Sequence, residues 1–328
     1  MILAIETSCD DTCAAVVQRD GAIRANVISS QGIHDRYGGV VPEIAARHHL
    51  ELVDVAVEDA LAQAGAGLDD VELVAVTQGP GLVGALLIGV SEAKALAAAR
   101  DLPLAPVDHL QGHVAANFLA PDPFEPPFLC LIASGGHTLL AHVTEHDGFD
   151  VLGATLDDAA GEAFDKGARM LGLGFPGGPA LSRLAEGGDP GAVAFPTAHN
   201  VAGLDFSFAG IKTALLYALR DDPDFDRADL AASYQRAIVE QLAQRTERAL
   251  RETGLRRLAI GGGVAANRLL RARLRELDVD ALHVPPPELC TDNAAMIASA
   301  ARFVVPLAPE QYLGLDAYAT GQPAPARP

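Results

Sequence analysis

The sequence predicts an α/β protein made of two similarly built domains. Residues 2–17 show an apolar run, a polar turn and a second apolar run, which is typical of a β-hairpin, and residues 128–143 show the same pattern. Each half then carries an apolar strand, a glycine turn and a helix, around residues 72–84 and again around 258–267. A repeated order of elements indicates two domains of one topology.

The boundaries follow from the positions of these repeats. We expect an N-terminal domain at 1–125 and a C-terminal domain at 126–308, with a helical insertion around 157–208 that the first half lacks. The segment 309–328 ends in a run rich in proline and alanine, so we expect a partly disordered tail.

The first hairpin turn contains Asp10 and Asp11. Aspartates are ordinary turn residues, yet in a functional turn they suit contact with a metal or with a water that bridges to it. The next glycine turn, Gly79-x-Gly81-x-x-Gly84, matches a dinucleotide-binding pattern after a strand. Pro80 and the preceding hairpin disfavour that interpretation.

His109 and His113 stand four residues apart in a stretch compatible with a helix. Residues at i and i+4 share a helical face, so both imidazoles can bind one divalent metal or simply pack there. Leu110 occupies the place of the catalytic glutamate in zinc proteases of the H-E-x-x-H type. The third candidate ligand is Asp292, with the alternative that Asp292 or Thr291 caps the helix beginning near residue 294.

The second hairpin turn reads Ser134-Gly135-Gly136-His137. Backbone amides in a glycine turn bind anions, and a hydroxyl adds a donor, although an ordinary hairpin turn has the same composition. The turn 261–263, followed by Asn267, allows a flat ring to approach the backbone. No lysine follows these glycines, so they do not form a P-loop.

The composition bounds the class of protein. The chain has 328 residues, 49% of them hydrophobic, and it has no apolar run long enough to span a membrane. The N-terminus lacks signal-peptide features, and four cysteines without C-x-x-C spacing suggest neither disulfides nor a zinc knuckle, so we expect a cytoplasmic location.

The charge argues against binding of nucleic acid through a general basic surface. The formal net charge is −19, from 24 basic and 43 acidic residues. The basic stretch 268–275 reads as the polar side of an amphipathic helix. A nucleic-acid substrate would therefore need a partner or a local patch to supply positive charge.

Together these residues resemble the TsaD family of tRNA threonylcarbamoyladenosine transferases, formerly called O-sialoglycoprotein endopeptidases. The matching segments are 4–12 (AIETSCDDT), 38–43 (GGVVPE), 78–82 (QGPGL), 109–113 (HLQGH), 133–138 (ASGGHT), 157–166 (DDAAGEAFDK), 175–179 (FPGGP), 205–208 (DFSF), 211–213 (IKT), 262–267 (GGVAAN) and 291–293 (TDN). They occur in order over nearly the whole chain. The resemblance implies two RNase H-like domains of the actin/Hsp70/sugar-kinase (ASKHA) superfold, with a nucleotide cleft between them.

The resemblance also implies a site and a reaction. Threonylcarbamoyl-AMP would donate its threonylcarbamoyl group to N6 of the adenosine 3′ to the anticodon of tRNA. One iron or zinc ion would be held by His109, His113 and Asp292, with Asp10 close to it; Asp10 and Asp11 are the candidate catalytic residues. The substrate and the adenine nucleotide would contact Ala133, Ser134, Gly135, Gly136, His137, Asp165, Gly178 and Asn267.

Implied partners are tRNA, a TsaB-like paralogue and a TsaE-like ATPase, while a TsaC-like enzyme makes the adenylate. The amphipathic stretch 43–64 is a candidate partner contact. Two alternatives stay open: a small-molecule kinase of the same superfold, and a non-catalytic scaffold paralogue. Neither gives the histidine pair and Asp292 a role.

Overall fold

The computed structural model describes residues 1–197 and 201–322. In these residues the first domain contains one five-stranded sheet of order β3-β2-β1-β4-β5. Its strands are β1 (Ile2–Glu6), β2 (Asp11–Val17), β3 (Ile23–Ser30), β4 (Leu73–Gly79) and β5 (Leu104–Asp108). Strands β1 and β2 pair antiparallel and β1 and β4 pair parallel, so the predicted hairpin at 2–17 is confirmed.

The second domain repeats this topology. Its strands are β6 (Phe128–Ala133), β7 (Thr138–Glu145), β8 (Gly148–Ala154), β9 (Arg257–Gly261) and β10 (Ala281–His283). Their order, β10-β9-β6-β7-β8, is the order of the first sheet read from its other edge. The hairpin predicted at 128–143 is confirmed, because β6 and β7 pair antiparallel up to Ala133 opposite Thr138.

Eleven α-helices accompany the strands in the described residues. They are α1 (Pro42–Ala64), α2 (Val83–Arg100), α3 (His109–Ala115), α4 (Ala160–Met170), α5 (Gly177–Ala185), α6 (Ala209–Asp221), α7 (Arg227–Thr253), α8 (Arg268–Leu274), α9 (Pro287–Cys290), α10 (Ala294–Ala301) and α11 (Pro309–Tyr312). Both predicted strand–glycine turn–helix units are present, as β4 with α2 and as β9 with α8. Helix α8 has the expected amphipathic character, with Leu270 and Leu274 buried and Arg268 exposed.

Helices α3 and α10 pack between the two sheets. Their apolar residues share one core with buried residues of β1, β2, β4 and β5 and of β6 and β7. Helices α1 and α2 cover the other face of the first sheet, where they bury Val53, Val57 and Val90. The short helix α3 and the start of α10 therefore lie at the junction of the domains, which positions the site described below.

The helices α4 and α5 lie inside the region predicted as an insertion, and α6 follows it directly. They form one core with α7 and the outer face of the second sheet. Residues 198–200 of the predicted insertion lie outside the described residues.

The segment after α10 packs back onto the first domain. Tyr312, Leu315 and Tyr318 are buried, and Lys94 of α2 donates to the carbonyl oxygens of Leu313 and Leu315. The proline- and alanine-rich end for which we expected disorder, residues 323–328, lies outside the described residues. No helix in the described part of the chain is long and apolar enough to cross a membrane.

Candidate active site

Helix α3 carries both histidines at the cleft between the domains: His109 lines the cleft, and His113 is completely buried behind it. Asp108 ends β5 and caps this helix, because its Oδ1 accepts hydrogen bonds from the amides of Leu110 at 2.8 Å and Gln111 at 3.1 Å. The i, i+4 spacing brings the rings of His109 and His113 to 4.7 Å between centroids. The predicted shared helical face is confirmed.

Asp292 meets the histidines from the loop between α9 and α10. Its Oδ1 lies 3.5 Å from His109 Nε2 and 3.4 Å from His113 Nε2. The capping alternative for Asp292 or Thr291 is wrong: Asn293 caps α10, because its Oδ1 accepts from the Met296 amide at 3.0 Å. The cap leaves the Asp292 carboxylate available to the histidines.

The chemistry of these side chains fits a divalent metal. One ligand atom from each of His109, His113 and Asp292 lies within 4.8 Å of the others. His113 is completely buried, and neither of its ring nitrogens has a hydrogen-bond partner among the described residues. Buried polar groups are normally paired, and two imidazoles with a carboxylate suit zinc or iron. The three residues form a candidate metal site.

Glu6 is the residue of this site that the sequence analysis missed. It ends β1, is fully buried, and its Oε2 lies 2.9 Å from His109 Nδ1 and 2.5 Å from Thr77 Oγ1. Ser8 donates its backbone amide to Oε1, and its hydroxyl lies 3.2 Å from the same His109 nitrogen. The available signal was a carboxylate ending a strand that is otherwise entirely apolar.

Opposite charges in this cluster stabilise one another. Burial alone would lower the pKa of His109, but the carboxylates of Asp292 and Glu6 raise it to about 9. Burial would raise the pKa of Glu6 and of Asp292, and attraction to His109 lowers both instead. Burial and the nearby His109 lower the pKa of His137 to about 4, so that ring is neutral at pH 7.

The metal site opens into a cleft of about 560 Å³ between the two hairpin turns. The turn of the first domain contributes residues 8–11 and the turn of the second contributes residues 134–137. Burial raises the pKa of Asp11 to about 7, and the neighbouring Asp292 and Asp10 add to this effect against the Ser30 side chain, which lowers it. Asp11 can therefore exchange a proton near neutral pH.

The second turn has free backbone donors. The Ser134 amide donates to the His137 carbonyl at 2.8 Å, and the Ser134 hydroxyl accepts from the His137 amide at 3.1 Å. Gly135 and Gly136 are exposed, and their amides make no hydrogen bond within the described residues. A turn closed in this way holds two amides at the cleft surface, where an anion can accept from them.

The other predicted substrate residues are not all at the cleft surface. Asp165 of α4 lines the cleft and accepts the Gly177 amide at 2.7 Å. Ala133 is buried, and neither it nor Gly178 lines the cleft. Asn267 caps α8, and its amide nitrogen donates to Ser182 at 3.2 Å and to Gln235 at 2.8 Å. The Asn267 side chain therefore already makes its hydrogen bonds within the protein.

Glycines in the two strand–helix turns allow the backbone to approach the neighbouring hairpins closely. At Gly262, φ is +86°, and a Cβ atom would meet the Ala133 carbonyl oxygen at 2.4 Å. At Gly81 a Cβ atom would meet the Ser8 carbonyl oxygen at 2.6 Å. These contacts lock each strand–helix unit against its hairpin, so the pattern 79–84 has a structural explanation that needs no dinucleotide.

A contact across the cleft joins the domains. Arg169 of α4 donates to the Gly38 carbonyl oxygen in the loop before α1. Gly39 and Val40 of that loop and Arg169 all line the cleft. The cleft is therefore enclosed by residues of both domains.

Comparison with known proteins identifies a family model, relatives and structures that are similar to this chain. A family model described as "TsaD: tRNA N6-adenosine threonylcarbamoyltransferase" matches residues 22–299. A relative of that name from Symbiobacterium thermophilum is 53% identical over 93% of this chain and 91% of its own, and one from Clostridium perfringens is 49% identical over 92% of each. Component A of (R)-2-hydroxyglutaryl-CoA dehydratase from Acidaminococcus fermentans has a similar structure, with 17% identity, a TM-score of 0.56, and coverage of 92% of this chain and 96% of that one.

The duplicated sheets and the cleft between them define an α/β protein of the ASKHA superfold, in agreement with the likeness to the dehydratase component. Within that superfold, the family model and the relatives with about 50% sequence identity all point to one family. The chain belongs to the TsaD family, the tRNA N6-adenosine threonylcarbamoyltransferases.

Proposed function

We propose that this chain transfers the threonylcarbamoyl group of threonylcarbamoyl-AMP to N6 of the adenosine 3′ to the anticodon of tRNA. Membership of the TsaD family supports the reaction. The observation that carries the site assignment is the meeting of His109, His113 and Asp292 beside the cleft, where neither nitrogen of the buried His113 makes a hydrogen bond in the described chain and Nε2 lies 3.4 Å from Asp292 Oδ1.

His109, His113 and Asp292 would hold one divalent ion, Fe²⁺ or Zn²⁺. Such an ion supplies Lewis-acid polarisation of the substrate oxygen when bound. The protein contributes ligands that are already in place, since the helix cap at Asp108 and the cap at Asn293 fix both segments that carry them. Asp10 lies in the turn that faces this site.

The turn of the second domain would hold the phosphate end of the substrate. The free amides of Gly135 and Gly136 can donate to phosphate or carbamoyl oxygens, where negative charge develops during transfer. His137 is neutral at pH 7, so it can donate one hydrogen bond there without adding positive charge. Ser134 and Ala133 support this turn from the end of β6.

Asp11 is the better candidate general base of the two turn aspartates. Its pKa of about 7 lets it accept a proton at neutral pH. The N6 amine of adenosine attacks the carbamoyl carbon, the bond to the AMP oxygen breaks, AMP leaves with that electron pair, and the amine proton passes to Asp11. Because an exocyclic amine is a weak nucleophile, positioning in the cleft must supply much of the rate.

The nucleoside end of the substrate would extend toward α4 and α5. Asp165 can contact a ribose from the cleft surface. Gly178 lies beside it at the start of α5 but does not line the cleft, so we assign its backbone the indirect role of holding the Asp165 carboxylate. Asn267 would bind adenine only if its amide leaves Ser182 and Gln235, so we assign it the indirect role of holding α8 in place.

The acidic charge of the chain means that a partner or a local basic patch must supply the positive surface for tRNA. We propose that a TsaB-like paralogue and a TsaE-like ATPase act with this chain, and that a TsaC-like enzyme supplies threonylcarbamoyl-AMP. The outer surface of α1, which exposes Leu50 and Val55, is the candidate contact for a partner. A kinase of the same superfold, or a scaffold paralogue, would leave the metal residues without a role.

The experiment is a transfer assay with unmodified tRNA, synthesised threonylcarbamoyl-AMP and the candidate partners. Asp11→Asn should lose most transfer while keeping its metal, because the change removes only the proton acceptor. Asp224→Asn, at an exposed position of the loop between α6 and α7 and outside the cleft lining, is the matched control and should retain transfer. Equal transfer by Asp11→Asn and the control would remove Asp11 from the mechanism.

A further inference from the structure

We infer that Glu6 is a positioning residue of the metal site, which orients His109 and selects the tautomer that can bind the ion. This inference rests on the proposed metal-dependent function and adds a residue from a different element of the first domain. Glu6 touches none of the proposed substrate positions. It acts through His109.

The contacts of Glu6 are those of a fixed acceptor. It is fully buried at the end of β1, and three donors converge on its carboxylate: the Ser8 amide on Oε1, and the Thr77 hydroxyl and the His109 ring on Oε2. The distance from Oε2 to His109 Nδ1 is 2.9 Å, within the normal range of a hydrogen bond. These contacts leave the carboxylate little freedom to rotate.

This arrangement decides which nitrogen of His109 carries the proton. A neutral imidazole has one N–H and one lone pair, and a carboxylate can only accept. With Nδ1–H donated to Glu6, the lone pair is on Nε2, the nitrogen that lies 3.5 Å from Asp292 Oδ1. Buried carboxylates paired with ligand histidines fix the tautomer and raise the basicity of the ligand in metal proteins generally.

Glu6→Gln tests this role with almost no change of volume. A glutamine has one oxygen and one NH₂ group, and all three neighbours are donors to the present carboxylate. If the NH₂ group faces His109, Nδ1 must accept and the proton moves to Nε2, which then cannot bind a metal. If the NH₂ group faces the Ser8 amide, two donors oppose each other and the turn is strained.

Thr12→Val is the matched control. Thr12 lies in the neighbouring strand of the same hairpin, is buried, and shares a 2.8 Å hydrogen bond with Nδ1 of another buried histidine, His49. The change removes a buried histidine contact of the same kind, but one that does not involve His109. It therefore reports the general effect of losing such a contact on metal binding.

The test titrates metal-free wild type, Glu6→Gln and Thr12→Val with Zn²⁺ by calorimetry. We expect Glu6→Gln to weaken Zn²⁺ binding by about 10- to 100-fold, and Thr12→Val to remain close to wild type. Wild-type affinity in Glu6→Gln, or equal losses in both variants, would overturn the role of Glu6. Wild type that binds no Zn²⁺ would overturn the metal site itself, a distinguishable failure.

A second measurement needs no variant and so does not depend on folding of Glu6→Gln. In Zn²⁺-loaded wild type, ¹⁵N-resolved NMR of the histidine rings should show a proton on Nδ1 of His109, protected from exchange by the hydrogen bond to Glu6. A proton on Nε2 of His109 would contradict the inference.

Discussion

Replacement of His113 by leucine should stabilise the metal-free protein. His113 is completely buried; Nδ1 has no hydrogen-bond partner in the described chain, and Nε2 makes no hydrogen bond there but lies 3.4 Å from Asp292 Oδ1. An unsatisfied buried polar group costs about 1–3 kcal/mol, and leucine fills a similar volume without polar atoms. We therefore expect His113→Leu, in the presence of chelator, to have a free energy of unfolding higher than wild type by about 1–3 kcal/mol.

Metal should reverse this order. A ligand that binds only the folded state adds about 2.7 kcal/mol at a concentration 100 times its dissociation constant. Wild type should gain that stability from Zn²⁺, while His113→Leu has lost a ligand and should gain little. If burial of His113 lowers the free energy of unfolding and only metal binding recovers it, His113 behaves as a metal ligand and not as an ordinary core residue.

Urea unfolding followed by far-ultraviolet circular dichroism measures both quantities, and suits a chain without tryptophan. Asn117→Leu is the control: Asn117 is equally buried near the end of the same helix, but its side chain bonds Val114 and His283. It should be destabilised with or without metal. A metal-free wild type more stable than His113→Leu would refute the reasoning, because it would give His113 a structural role.

Three further predictions concern proton exchange and the segments that carry the ligands. Because the pKa of His109 is about 9 in the metal-free protein, the metal competes with a proton below that pH. Zn²⁺ affinity should rise as the pH increases from 7 to 9, with proton release detectable by calorimetry in two buffers; a flat affinity would contradict this. Asp11 is protonated below its pKa of about 7, so transfer by wild type should rise with pH through about 7, and a profile unchanged in Asp11→Asn would contradict its role as base. Asn293→Ala removes the cap of α10, so it should lower stability by about 0.5–2 kcal/mol in urea unfolding and weaken Zn²⁺ binding through the adjacent Asp292; unchanged affinity would separate the cap from the site.

The fold was largely predictable because its main signals are local. Alternating apolar runs with polar turns predicted both hairpins, and the repeated strand–glycine–helix unit predicted two domains of one topology. The pair His109 and His113 could be assigned to one helical face from spacing alone. The helix that carries them, α3, confirms that reasoning.

What the sequence did not predict depends on contacts between distant segments. Glu6 and His109 are far apart in the chain, and only the pairing of β1 with β4 and of β4 with β5 brings them together. Asp292 and Asn293 are equally good caps by residue type, so the choice between them required the backbone of the α10 start. Asn267 has the chemistry of a ligand contact, but its neighbours Ser182 and Gln235 already use it.

The segment after α10 also makes a contact with a distant part of the chain that the sequence did not predict. The disorder expected from composition falls on residues 323–328, outside the described residues, and a few positions before them Tyr318 donates its hydroxyl to Asp108 at 2.5 Å. That bond reaches the residue that caps the histidine helix α3. An isolated tyrosine in a polar stretch gives no indication of such a distant partner.

Metal content and threonylcarbamoyl transfer should be measured together, in wild type and in His109→Ala/His113→Ala, with tRNA and partners present. We expect close to one equivalent of iron or zinc in active wild type, and loss of both metal and transfer in the double variant. Full transfer by the metal-free variant would remove the histidine pair from the mechanism and show that transfer does not depend on this metal site.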